Sequence, residues 1–472
     1  MAFAGPRRKW SSVRDAWVRG NPMPTLHFLF RFGLLSVAVA LAAVVWERVL
    51  RGEIRRAIPF VVLSWGISES YGRMPMLTFY TDRNGIASHF GVSSFLLAVA
   101  FIGLMAKERA FVTRFLRTPM FVAFYVLFAC VVLTQGWYLG FVPGVGLAYD
   151  RVLQPMMVVA LLSYVGRSPS GLRSAFLWII GAVALAICVR YLADAFLGTS
   201  PVVSDADLTN GVRRVGGIGT WTIYGTICAS VLPLLVSLLV VDRGLVERVG
   251  FVLFALVAVK EVLATGTRGA FLGLAAPLVF LLRRRARWWV TALVVTLLVG
   301  AGTFGLRAGF SGSRALSLNA GSLLSQPNVV ARLNRNDAAI HYLLKHPLSG
   351  SGLGLPLYSD GIDIGTWVYN PYLHWAVSMG LIASLAFAAI VGMSVMYTVG
   401  NWRASSGILR TLQVGLTASL VVWLVNQFTS GDSVTYVQSV QASLFFYAIV
   451  GLILGSRLNR QTGSLTRRSE LG

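Results

Sequence analysis

Leu34-Leu-Ser-Val-Ala-Val-Ala-Leu-Ala-Ala-Val-Val-Trp46 contains no charged residue, and neither does Leu96-Leu-Ala-Val-Ala-Phe-Ile-Gly-Leu-Met105 or Leu293-Val-Val-Thr-Leu-Leu-Val-Gly-Ala-Gly302. Of 472 residues, 56% are hydrophobic and 12% charged, against about a quarter charged in a soluble protein. One soluble core cannot absorb that much apolar sequence, but a bilayer can. The runs are continuous rather than alternating, which excludes a transmembrane barrel. An isolated strand cannot satisfy its backbone groups in lipid, so each run is expected to be a helix. The fold class that follows is all-α, a polytopic transmembrane helix bundle.

Working outward, apolar stretches lie near 28–46, 54–67, 86–106, 117–136, 152–166, 174–197, 221–241, 247–264, 268–282, 288–306, 373–397, 408–429 and 437–456. Lys and Arg orient them. The run Arg283, Arg284, Arg285 and Arg287 is the strongest cytoplasmic anchor. Alternation then places Lys107–Arg117, Arg403–Arg410 and the C-terminal tail inside, and all three are basic. It places 198–220, 307–372 and 430–436 outside. From residue 54 onward this gives about twelve core spans with both ends cytoplasmic. The first stretch, 28–46, breaks the pattern because arginines flank it on both sides. It either spans with an external N-terminus or lies re-entrant in the inner leaflet. Trp10, Val13 and Trp17 share one helical face among basic residues, which suits an interfacial helix. The expected organisation is a basic cytoplasmic or interfacial tail (1–26), helices over 27–306 with a short external loop at 198–220, a long ordered external loop at 307–372, helices over 373–456, and a cytoplasmic basic tail (457–472). The N-terminus does not read as a cleavable signal.

The formal charge of +23 is spread in short runs between apolar stretches. That is the positive-inside pattern rather than a nucleic-acid surface, so no nucleic-acid partner is expected. The remaining basic residues suit anionic lipid or a phosphorylated substrate. Cys130, Cys188 and Cys228 fall inside apolar stretches and read as small buried side chains, not as a disulfide set or metal site.

The external loops point to the chemistry. The longest carries Arg307, Arg314, Arg332, Arg335 and Lys345 against Asp337, Asp360 and Asp363. Topology does not require arginine on that side, and guanidinium grips phosphate through two parallel hydrogen bonds. Solvation of a loop accounts equally well for any single one of them. Arg268 is a stronger candidate. It lies between glycines where two helices join almost directly, at a depth where a charge must find an anion or carbonyls, or snorkel to the headgroups. Lys260 and Glu261 precede it and either pair locally or support it. Helical patterning near Val329–Leu344 indicates that the long loop is ordered. Gly350-Ser-Gly-Leu-Gly354 follows no strand and is not a dinucleotide loop. Asp205-Ala-Asp207 is too little for a metal site, and no metal or cofactor is expected.

Four segments together resemble the O-antigen ligase and polymerase family. Thr265-Gly-Thr-Arg-Gly-Ala-Phe-Leu272 is similar to its Ser/Thr-Arg-Gly-Ala signature. Arg332 to Gly354 resembles its long external loop, in which an arginine opens a helix and a glycine-rich run follows, here His346-Pro-Leu-Ser-Gly-Ser-Gly-Leu-Gly354. Asn370-Pro-Tyr-Leu373, then Gly380-Leu381, resembles the segment entering the next helix. Arg214-Val-Gly-Gly-Ile-Gly-Thr220 and the spacing from Arg214 to Gly225 resemble an earlier loop. The resemblance covers about 210–385. One position departs from it: Tyr369 stands where the family's ligases place a histidine before the asparagine, and His374 follows Asn370 by about one helical turn.

The resemblance implies transfer of a glycan from a polyprenyl-pyrophosphate carrier to a hydroxyl acceptor, either a glycolipid (ligase) or another repeat unit (polymerase), at the periplasmic face of a bacterial inner membrane. It implies inversion at the anomeric centre. Arg268 and Arg332 are then the catalytic arginines, with Tyr369 or His374 as the group on the acceptor. Arg214, Arg335, Asn370 and His346 are substrate-binding candidates. The rival reading is a transporter or flippase of lipid-linked glycans, which predicts internal repeats around a midplane site; the sequence carries no convincing repeat.

Overall fold

The computed structural model describes residues 23–68, 75–81, 87–197, 221–241, 244–265, 270, 273–274, 327–352, 357–359, 362–365, 368, 370–430 and 440–469. Arg268, Arg214, Tyr369, Asp205, Asp207 and the run 283–287 lie outside the described residues, as does the side chain of Arg332.

The elements are α1 (Met23–Leu50), α2 (Ile54–Ser68), a hairpin of β1 (Pro75–Thr81) and β2 (Ala87–Gly91), α3 (Val92–Lys107), α4 (Arg109–Leu116), α5 (Pro119–Leu139) and α6 (Phe141–Ala148). A π-helical turn (Tyr149–Leu153) runs from α6 into α7 (Gln154–Val165). There follow α8 (Pro169–Leu197), α9 (Trp221–Val241), α10 (Leu245–Thr265), α11 (Pro327–Lys345), and a hairpin of β3 (Leu357–Ser359) and β4 (Ile362–Gly365). The chain ends with α12 (Pro371–Met379), α13 (Leu381–Arg403), α14 (Gly407–Ser430) and α15 (Val440–Ser469). The molecule is a helical bundle. Among the described residues, 7 helices are long and apolar enough to cross a membrane: Phe32–Leu50, Pro119–Leu139, Phe141–Val165, Pro169–Leu192, Ile223–Val241, Leu381–Arg403 and Gly407–Gln427. Val92–Lys107 and Ser443–Asn459 are shorter apolar helices.

Local sequence explains several boundaries. Thr118 caps α5 by accepting from the Phe121 amide at 3.2 Å, and Pro119 occupies the first turn, where its missing N–H costs nothing. Asn370 and Pro371 repeat the device at α12. Three boundaries differ from the sequence expectation. Residues 86–106 are not one helix: 87–91 pair with β1, and the helix begins after Gly91. The stretch 373–397 is split at Gly380, whose φ of 87° ends α12 and starts α13 in a new direction. The helix expected at 152–166 begins at Phe141, because a π turn carries Asp150 and Arg151 inside it. The helical class therefore carries two small antiparallel hairpins as well. Cys228 is buried as expected, Cys130 is half-buried, and Cys188 is exposed.

The centre of the bundle is α15, whose Leu444, Phe445, Phe446 and Tyr447 are buried. Phe445 meets the edge of Trp65, Phe446 that of Trp423, and Tyr447 tilts on Phe124. Against α7 this helix presents Gly451-Leu-Ile-Leu-Gly455. A Cβ at Gly451 would lie 2.8 Å from the Val159 carbonyl oxygen, and one at Gly455 only 2.3 Å from that of Ser163. Small residues at this spacing let two backbones approach where lipid supplies no hydrophobic drive for association. Nearby, Asn401 donates to the Ile453 carbonyl at 2.7 Å and Gln413 to the Ser456 hydroxyl at 2.8 Å, tying α13 and α14 to the same helix.

The contacts sort the helix ends into two groups. Arg55, α4, Arg167 and Leu458 meet at one end, joined by Lys107 beside Gly52 and by Arg173 near Glu247. The ends of α5 and α10 away from these, the start of α9, α11 and the α12–α13 break lie at the other. Gly455→Val is expected to lower stability in detergent by about 1–3 kcal/mol or more, because Ser163 is backbone and cannot yield. Gly392→Ala on α13, with nothing within 4 Å of its added Cβ, should be neutral or slightly stabilising. Thermal unfolding of the two variants beside the parent checks this; equal midpoints for Gly455→Val and the parent would refute the close crossing.

Candidate functional site

The end of the bundle away from the basic cluster holds the described parts of the segments that carry the resemblance, and they meet in two pairs. The first pair is the glycine-rich run and the α12–α13 break. The Ser351 amide donates to the Val377 carbonyl at 2.8 Å, that of Gly352 to Ser378 at 2.9 Å, and that of Leu381 to Pro347 at 2.8 Å. Gly350 and Gly380 both have positive φ, 60° and 87°. A Cβ at Gly380 would stand 2.1 Å from the Leu348 carbonyl oxygen, so glycine is required there both for conformation and for space. The Gly350 carbonyl accepts from Tyr138 of α5 at 3.0 Å and Tyr342 of α11 at 3.4 Å. The run is thus pinned to the bundle from three helices.

That strap seats α11. Ala338 and Ala339 pack with Val368 and Val377 in a small core of their own, flanked by Tyr342, Leu343 and Leu373. The helix begins at Pro327, so Arg332 lies in its second turn and does not open it, contrary to the sequence expectation. Arg335, Ala339 and Tyr342 share one helical stripe, which sets Arg335 on the face that continues toward α12. Arg335 is half-buried. His346 is exposed, its ring 4.8 Å from that of Tyr342. Asn370 serves as a helix cap: its side-chain oxygen accepts from the Tyr372 and Leu373 amides at 3.0 and 3.2 Å.

The second pair is Gly225 with Thr265 and Ala270. A Cβ at Gly225 would meet the Thr265 hydroxyl at 2.7 Å and the Ala270 methyl at 3.4 Å. Thr265 and Ala270, which flank the segment that contains Arg268, therefore close on the start of α9.

Beneath Thr265 lies a charged group that sequence reading did not assemble. Glu261 is fully buried and accepts from both Arg190 of α8, at 2.8 and 2.9 Å, and the hydroxyls of Tyr191 at 2.6 Å and Tyr224 at 3.0 Å. Lys260 donates to the Tyr191 hydroxyl. Glu261 thus pairs across three helices and not with Lys260 alone. The signal in the sequence was an arginine and a glutamate inside separate apolar stretches, where an ionisable residue without a partner is costly. Three hydrogen bonds and the ion pair satisfy the carboxylate and tie α8, α9 and α10 together.

His374 belongs to a different group. It is 3% exposed and lies inside the bundle, with Arg151 of the π turn within electrostatic reach of both it and Tyr447. Its Nε2 has no hydrogen-bond partner among the described residues. Gln135 reaches Met379 at 3.3 Å, and Gln154 donates to Asp150 at 2.8 Å. Single-turn π bulges concentrate at functional positions, and Asp150 and Arg151 lie between the apolar stretches that the sequence shows. Among the described residues no group of three or more His, Cys, Asp or Glu is arranged to hold a metal.

Arg190→Met is expected to destabilise the protein by about 3–5 kcal/mol, because Glu261 is left as a buried unpaired charge. Arg190→Met/Glu261→Gln should recover part of that loss. Denaturant unfolding in detergent measures both. If Arg190→Met unfolds like the parent, the pair does not hold the helices. Comparison with known proteins adds nothing to this geometry: no family model matches the chain, and no curated protein is significantly similar to it.

Proposed function

We propose that the protein is a membrane glycosyltransferase, like the O-antigen ligases and polymerases its motifs resemble. In this reading it moves a glycan from a polyprenyl-pyrophosphate carrier to a hydroxyl acceptor without a metal ion. The observation that carries the proposal is the backbone strap between 347–352 and 377–381. It fixes the arginine-bearing helix α11 over the end of the bundle where Gly225, Thr265 and Ala270 also converge. Segments far apart in sequence, which the resemblance groups for other reasons, thus share one end of the molecule, opposite the basic helix ends that the positive-inside rule assigns to the cytoplasm. The active face is then periplasmic, in a bacterial inner membrane spanned about twelve times.

The chemistry follows from the groups available. The acceptor hydroxyl oxygen bonds the anomeric carbon, the bond from that carbon to the pyrophosphate oxygen breaks, and the electron pair leaves on pyrophosphate. The hydroxyl proton passes to His374 from within the bundle or to water, and Tyr369 orients the acceptor. Pyrophosphate is a good leaving group, so fixed positive charge is the main requirement. Arg268 and Arg332 supply it, with Arg214 and Arg335 in support, while Asn370 and His346 border the glycan.

Arg268→Lys and Arg332→Lys keep the charge but lose the planar two-pronged contact. Each is expected to slow transfer about ten- to a hundred-fold, the rate equivalent of a charged hydrogen bond made mainly in the transition state. Arg307→Lys should cost much less, and EDTA should leave transfer intact. Rates at matched membrane expression decide this; parental rates in both Lys variants, or EDTA loss restored by magnesium or manganese, would overturn it.

A further inference from the structure

At the opposite end of the bundle, a cavity of about 290 Å³ opens where the start of α2, the helix α4, the α7–α8 turn and the end of α15 converge. Its lining includes Arg55, Arg114 and Arg167, with Ser168 beside them and Phe111 and Leu458 as its apolar part. The lining carries no carboxylate among the described residues. Two of the three cations lie on aromatic faces, and Arg114 donates to the Ala110 carbonyl at 3.2 Å. Arg167 stands 4.4 Å from the Tyr164 ring centroid and 4.8 Å from that of Phe111, and Arg55 stands 5.5 Å from Tyr164. Arg167 also donates to the Tyr164 carbonyl at 3.1 Å, which fixes the guanidinium further. Glu108, within electrostatic reach of Arg167, accepts from the Tyr164 hydroxyl at 2.8 Å and offsets only part of the charge.

We infer that this cavity binds the phosphate headgroup of an anionic phospholipid of the inner leaflet. Basic pockets between transmembrane helices on the cytoplasmic side suit such headgroups, and guanidinium pairs with phosphate through two parallel hydrogen bonds. Burial pulls the Arg167 guanidinium below its ordinary value; Tyr164 and Glu108 act against this, and Arg55 and Arg114 add to it. A phosphate between the three arginines would relieve that mutual repulsion. Lipid is favoured over a soluble phosphate by the surroundings. Helix α4 buries Phe111, Val112 and Phe115 and turns Arg109 and Arg114 outward, the pattern of a short helix lying in the membrane interface. Ile102, Met105 and Leu116, on either side of the cavity segment of α4, are exposed apolar residues on which acyl chains can lie. The site is independent of the glycosyl-transfer reading.

The test uses the full-length protein in detergent, with native mass spectrometry of retained lipid and thermal unfolding as parallel readouts. Probes are phosphatidylglycerol, phosphatidylcholine and inorganic phosphate. The parent is expected to retain phosphatidylglycerol about ten-fold better than phosphatidylcholine, with millimolar phosphate failing to displace it, as two or three charged contacts would give. Arg114→Gln, an exposed position that spares the fold, should lower that preference several-fold, and Arg55→Gln/Arg114→Gln should abolish it. Equal retention of the two lipids by the parent would overturn the inference. So would an undiminished preference in the double variant, which would move the site elsewhere. Displacement by inorganic phosphate would overturn the lipid assignment in favour of a soluble anion.

Discussion

Hydrocarbon offers no hydrogen-bond partner, and the irregular features of this bundle follow from that. Where a helix breaks, a neighbour takes up the freed backbone groups. At Gly380 the Leu381 amide, the first of a new helix, donates to Pro347 of the loop, while the Gly380 amide caps the end of α12 on Ala376. At Gly140 the amide still reaches Gly136 before α6 turns away. Ionisable groups obey the same constraint: Glu261 takes donors from α8 and α9, and Gln154 at the start of α7 answers Asp150 of the π turn before it. The partners of Leu381 and Glu261 are remote in sequence, so the helices must be arranged before these polar groups can be satisfied.

The consequence is a molecule with two chemically different ends. One is tied by arginine stacked on tyrosine and phenylalanine at the meeting of α2, α4, α8 and α15. The other is built from backbone straps, glycine contacts and a small second core under α11. The second kind suits a catalytic face, because a strap of main-chain bonds holds a loop without consuming the side chains that meet the substrate. It also explains why the glycine-rich run needs glycine. Gly350 and Gly380 adopt φ values open to few other residues, and each has main-chain atoms where a Cβ would be.

Some of this was legible in the sequence, for identifiable reasons. Continuous apolar runs give helices because lipid permits little else, and the apolar spacing of Val329–Leu344 announced α11 within two residues at its start and one at its end. Asn370-Pro371 read as a helix entry and is one. The breaks were not legible. Gly380 sits in an unbroken apolar stretch, and its role depends on Pro347 and Leu348, remote in sequence. Asp150 and Arg151 fall between the apolar stretches 117–136 and 152–166, yet both are buried. The Arg190–Glu261 pair could not be read because periodicity reports which face of a helix is apolar and says nothing about which helix it will meet. For the same reason His374 was a candidate base by its spacing from Asn370, whereas helical geometry turns it inward toward Arg151.

The central claim is that a glycosidic bond is made at the expense of the bond to a carrier pyrophosphate. The most direct measurement is the fate of the carrier when purified protein in liposomes receives a lipid-linked repeat unit and a hydroxyl acceptor, with lipid and glycan labelled separately. The account predicts that each glycan gained by the acceptor is matched by one polyprenyl pyrophosphate released, with the anomeric configuration inverted. If the lipid–glycan bond stays intact and the labelled glycan only changes its accessibility across the bilayer, the protein is a transporter and the account is wrong.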